Sequence, residues 1–114
     1  MTQTMMFQAL SDETRLRALL LMAEARELCV CELVEALDVS QPKISRHMGV
    51  LRDAGLVGSR RQAQWVFYFI NPRLAPWQSR IIEAVIEGRR DSDVARADLR
   101  RLDAMSDRPR PCPA

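Results

Sequence analysis

Ser40-Gln41-Pro42-Lys43-Ile44-Ser45-Arg46-His47-Met48-Gly49-Val50-Leu51-Arg52-Asp53-Ala54-Gly55 is the stretch whose reading decides the fold. Ser40 is of a type that caps helices, and Pro42 falls in the first turn, where its missing N–H does no harm. Ile44, Met48 and Leu51 share one helix side, with Val50 adjacent. Gly55 stands where a glycine ends a helix. Just upstream, Leu33, Ala36 and Leu37 form the inward stripe of a short helix from about Val30 to Asp38, and Asp38-Val39-Ser40 is a tight connection. Two helices joined by a short turn, the second polar and basic outside, make a helix-turn-helix.

Working outward, Leu56-Val57 starts a strand, and Gln64-Trp65-Val66-Phe67-Tyr68-Phe69-Ile70 reads as its hairpin partner, rich in β-branched and aromatic residues. Arg60-Arg61-Gln62-Ala63 is read as a basic tip between them. The expected fold is therefore mainly α with a small β-hairpin, a winged helix-turn-helix. Toward the N-terminus, Met5, Met6, Phe7, Ala9 and Leu10 suggest a short first helix. Ser11 is read as the cap of a second, carrying Leu16, Leu19, Leu20 and Ala23 to about Ala25. Toward the C-terminus, Asn71-Pro72 ends the hairpin and a helix begins near Pro76. Its stripe of Trp77, Ile81, Ile82, Val85 and Ile86 is long for so small a domain. Core packing uses part of it, and a twofold contact through Trp77, Ile81, Ile82 and Val85 is expected to use the rest, giving a homodimer. The domain is drawn as residues 1–90. Residues 91–114 are read as a charged, Pro-containing extension, partly disordered, with a weak helix over 89–105 and a tail holding Pro109, Pro111 and Pro113.

The 114 residues allow one domain, and 47% hydrophobic with 28% charged residues describes an ordinary globular chain. No apolar run approaches the ~20 residues that span a bilayer. No basic segment precedes an apolar one at the N-terminus, so a cytoplasmic protein with no membrane partner and reduced cysteines is expected. Charge is unevenly spread. Residues 11–38 carry seven acids against three arginines, whereas residues 39–61 carry five basic residues against Asp53. The basic block coincides with the helix-turn-helix, as a surface that meets phosphates requires.

Recognition helices touch base edges with their N-terminal residues, here Gln41, Lys43, Ser45, Arg46 and His47. Gln41 suits adenine, and Arg46 suits guanine or a phosphate. Lys43 suits a phosphate, Ser45 hydrogen-bonds either, and His47 is a DNA or packing residue. Arg60 and Arg61 on the wing would reach the minor groove or backbone. The partner is double-stranded operator DNA.

The remaining signal is Glu27-Leu28-Cys29-Val30-Cys31-Glu32-Leu33. Two cysteines one residue apart are soft thiolate ligands, a redox pair, or small buried hydrophobes. In a regular helix, positions i and i+2 point about 200° apart, so the sulfurs converge only if the helix start is extended or unwound. Ligand binding is then expected to distort that start. A thiol oxidoreductase is disfavoured: the chain has no redox-type fold pattern, no Gly-rich cofactor loop, and no catalytic constellation around the pair. The chain is read as no enzyme.

Together the Glu27–Leu33 run, the Ser40–His47 run and Leu51-Arg52-Asp53-Ala54-Gly55-Leu56-Val57 resemble the ArsR/SmtB metalloregulatory repressors, the arsenic-responsive ones above all, over about residues 4–88. The resemblance implies a dimeric winged helix on an operator in its own resistance operon, released when an inducer binds. It implies no constitutive cofactor, and As(III) or Sb(III) as inducer on Cys29 and Cys31. The arsenic-responsive relatives often place a third cysteine where this chain has Val34. The third ligand is then Cys112 from the tail, a small-molecule thiol, or a hydroxide. Zinc-type sites on the last helix need histidines, and His47 is the only one. The N-terminal cysteines of cadmium- and lead-responsive relatives have no counterpart in residues 1–28. A thiol-redox or Cd/Pb-responsive repressor is the alternative.

Overall fold

A computed structural model describes residues 2–105 of the chain. The order is α1 (Gln3–Leu10), α2 (Glu13–Ala25), β1 (Leu28–Cys29), α3 (Val30–Leu37), α4 (Gln41–Asp53), β2 (Val57–Gln62), β3 (Trp65–Ile70), α5 (Pro76–Arg89) and α6 (Asp93–Asp103). The winged helix-turn-helix is present: α3 and α4 are the helix pair and β2–β3 the wing.

α2 is the hub. Ala18 to Met22 are buried without a break, because other elements cover this helix on several sides. Ile44, Met48 and Leu51 of α4 enter the same core fully buried, as their spacing requires. Ser11 does not cap α2. It closes α1, its hydroxyl donating to Gln8 O at 2.7 Å, and Asp12 is the cap, accepting from Arg15 N–H at 3.0 Å. Asp outranks Ser here because its carboxylate also favours the positive end of the helix. α4 ends as expected: Gly55 takes φ 76°, and Leu56 N–H returns to Leu51 O.

The sheet holds one strand more than the sequence reading. β1 pairs antiparallel with β3 through Leu28↔Tyr68 and Cys29↔Phe67, giving the order β1-β3-β2. Two residues are too few to show alternation, so only the pairing reveals them. The wing tip also moves. Arg60 and Arg61 lie within β2, opposite Phe67 and Val66, and the turn is Ala63-Gln64, with Ala63 at φ 56°.

Residues 91–105 fall in the expected extension, yet α6 within them packs on α2 and α3. Asp98 is 1% exposed and receives Arg17 through two bonds (2.9 and 2.8 Å) and Arg101 through one (2.6 Å). The same arginines donate to Leu37 O and Ala36 O, satisfying carbonyls at the end of α3. The Asp98 carboxylate in turn raises the pKa of Arg17. Cys112 and the tail prolines lie outside the described residues.

Candidate thiol site and nucleic-acid interface

Cys29 closes β1 and caps α3 with extended backbone (φ −83°, ψ 166°), and Cys31 is the second residue of the helix. One partner extended and one helical bring the side chains together, with the sulfurs 3.5 Å apart. That is sulfur–sulfur contact, well outside the ~2.05 Å of a covalent disulfide. The convergence that a regular helix would deny is supplied by the strand-to-helix junction, so the start of α3 is already extended at Cys29. Glu32, buried, accepts from Cys29 N–H at 3.0 Å and forms a capping box with Cys29, where a serine or threonine commonly stands. Phe67, Trp65 and the two cysteines form a small apolar cluster of their own.

Among the described residues, no group of three or more His, Cys, Asp and Glu side chains is arranged to hold a metal ion. The sulfurs are a two-point anchor. Val34, one turn beyond Cys31, lines the same cleft, and so do Gln41 and Ser45 of α4. The cleft thus joins the thiols to the first turns of the recognition helix.

On α4, Gln41, Lys43 and Arg46 are exposed, and Gln41 Nε2 donates to Ser45 Oγ at 3.1 Å. His47 is different. Its side chain is 15% exposed, and Nδ1 lies 3.0 Å from the Arg15 guanidinium and 3.7 Å from Asp12. Arginine only donates, so Nδ1 accepts and the ring is neutral. Burial lowers the His47 pKa, helped by the charges of Arg15, Arg46 and Lys43 and opposed by Asp12. This histidine fastens α4 to α2, and Arg15 extends the tie to Ala9 O at the end of α1 (2.7 Å). The sequence offered no signal for Arg15 or Asp12 as its partners.

Arg61 is exposed on the wing, but Arg60 is engaged. It pairs bidentately with Glu27, one bond at 2.9 Å, and lies 4.5 Å over the Phe67 ring. Phe67 stands opposite Cys29 on one side and Arg60 on the other, so β1 and the wing share one row of the sheet. On α5, Ile82 is 3% exposed within its own subunit and belongs to the core, which removes it from the dimer set. Trp77 is exposed, and Ile81 and Val85 are half-buried.

A basic recognition helix beside a wing defines the class, a DNA-binding transcriptional regulator. The profile of the arsR family of bacterial regulatory proteins matches residues 12–59. An arsenic resistance transcriptional regulator of Pseudomonas putida KT2440, ArsR1, is 42% identical over 109 residues, 96% of this chain and 84% of its own. The arsenical resistance operon repressor of Escherichia coli K12 is 51% identical over 78 residues, 68% of this chain and 67% of its own. The crystal structure of AntR, an antimony-specific transcriptional repressor, superposes with a TM-score of 0.61 at 27% identity, covering 75% of this chain and 77% of its own. The chain belongs to the arsR family. No helix among the described residues is long and apolar enough to cross a membrane.

Proposed function

We propose that this protein is a metalloid-responsive repressor that binds operator DNA as a homodimer and lets go when Cys29 and Cys31 capture trivalent arsenic or antimony. The observation that carries this reading is the 3.5 Å sulfur pair in a cleft shared with Gln41 and Ser45. The relatives named for arsenic resistance and the antimony-specific neighbour support the choice of ion, and thiolates favour such soft ions.

Cys29 is at once a sheet residue, a helix cap and a ligand. Drawing both sulfurs onto one ion competes with the cap on α3 and pulls on the Cys29↔Phe67 pairing, which leads to Arg60 and the wing. The DNA-binding population falls by as much as the ion prefers the altered state. Gln41, Lys43, Ser45, Arg46 and Arg61 are the groups offered to DNA, with Arg60 joining them only if Glu27 releases it.

The test is binding to the DNA upstream of the protein's own gene, titrated with arsenite, antimonite, cadmium, zinc and peroxide. Arsenite and antimonite should release wild type and leave Cys29→Ser and Cys31→Ser bound. Normal release of either variant by arsenite would sink the assignment, and release by peroxide alone would move it to redox sensing.

A further inference from the structure

The cleft beside the sulfurs has more room than a small inorganic ion uses. It measures about 290 Å³, roughly twice the ~150 Å³ of an apolar cavity that accepts a benzene ring. Its walls include Val34 of α3 and Trp65 and Val66 of β3. Trivalent arsenic makes three bonds in a pyramid. Cys29 and Cys31 provide two, and the described residues bring no third cysteine, histidine or carboxylate to complete a cluster.

We propose that the preferred ligand is a monoorganic trivalent arsenical, R–As(OH)₂ with R a small alkyl or aryl group, ahead of inorganic arsenite. This rests on the thiol-sensor reading above. Each S–H proton leaves with one arsenic-bound hydroxyl as water. Two As–S bonds form, two As–O bonds break, and arsenic stays trivalent. The As–C bond already present is the third ligand, so the site needs no further sulfur. R then lies against Val34, Val66 and the Trp65 indole, apolar surface that a hydroxide would leave uncovered. The rival third ligand is that hydroxide, which can accept from Trp65 Nε1–H, a buried donor without an acceptor among the described residues. A water-sized group needs only ~15 Å³ of such a space, so volume favours the organic substituent. Because Gln41 and Ser45 complete the cleft, R also touches the turns that face DNA.

The chain has two tryptophans, so Trp77→Phe leaves Trp65 as the sole indole reporter. In that background, fluorescence titrations with arsenite, methylarsonous acid and phenylarsonous acid give the three affinities directly. Each buried methyl-sized group is worth about fourfold, and phenylarsonous acid is expected to bind at least tenfold more tightly than arsenite. Val34→Ala should weaken the organic arsenicals severalfold and leave arsenite unchanged, while Val34→Cys should tighten arsenite by supplying a third sulfur. Arsenite binding as tightly as the organic arsenicals in wild type would overturn this inference and leave the thiol sensor standing. Binding of no arsenical, or binding unchanged in Cys29→Ser, would overturn the sensor reading itself and this inference with it.

Discussion

Side chains on α4 that look alike in sequence divide into two trades. Arg46 is exposed, and no hydrogen bond or ion pair to its side chain is seen among the described residues. Arg46→Ala should weaken operator binding by about 1–3 kcal/mol if it reads a base, or lower the salt slope by about one if it meets a phosphate. Anisotropy titrations across salt separate these, and unchanged affinity and slope would remove Arg46 from the reader. His47, the next residue and about 100° further round the helix, faces inward to Arg15 instead. Its folded pKa lies below the ordinary 6.5, so the unfolded chain takes up the proton first as pH falls. The stability of this contact is full above about pH 6.5 and is lost as pH drops through the folded value. Unfolding midpoints between pH 7.5 and 5 should decline in wild type and flatten in His47→Gln, whose carbonyl still accepts from Arg15.

At the level of elements, α6 depends on one carboxylate. Asp98→Ala leaves Arg17 charged and largely buried without its partner and strips the ties to Leu37 and Ala36 of their anchor. A loss of about 3–5 kcal/mol is expected, a large share of a domain's stability. Urea unfolding measures it, and a loss under 1 kcal/mol would show α6 to be incidental to the core. The wing carries a smaller fault: Ala63 occupies the left-handed region at the turn. Ala63→Gly should raise stability by up to about 1 kcal/mol, read from the thermal midpoint.

These elements also mark how far the sequence could be read. The periodicity of Ile44, Met48 and Leu51 and the flanking Ser40 and Gly55 are local signals, and they located α4. Cys29 and Cys31 were visible as residues, but their convergence depends on two residues of strand pairing with β3, which no local pattern records. The charge of Arg60 suggests a wing contact, while its partner Glu27 lies 33 positions earlier. Asp98 looked like one more acid in a charged helix, because the arginine that buries it is 81 positions away. Local periodicity survives in a sequence, and long-range partnership of charged groups does not.

For the molecule as a whole, the proposed dimer leaves a definite face to test. Trp77 is 36% exposed, and Ile81 and Val85 follow it at helical spacing, each half-buried beside the core residues Ile82 and Ile86. Phe7 on α1 is 53% exposed, a second large apolar group that a monomer would leave in water. Trp77→Glu should shift sedimentation toward the monomer, weaken operator binding at least tenfold by losing one half-site, and barely move the thermal midpoint of the subunit. A dimer unchanged in sedimentation would place the twofold contact elsewhere.

The pairing of Cys29 with Phe67 carries a consequence for a newly made copy. The two thiols are neighbours in the chain and are both present as soon as residues 27–33 leave the ribosome. Their cleft waits for β3, 38 positions later in register, and contacts so far apart form late in folding. A nascent chain therefore holds its pair of thiols before it holds the walls of the cleft. On the proposed reading, discrimination between ligands belongs to the finished protein alone.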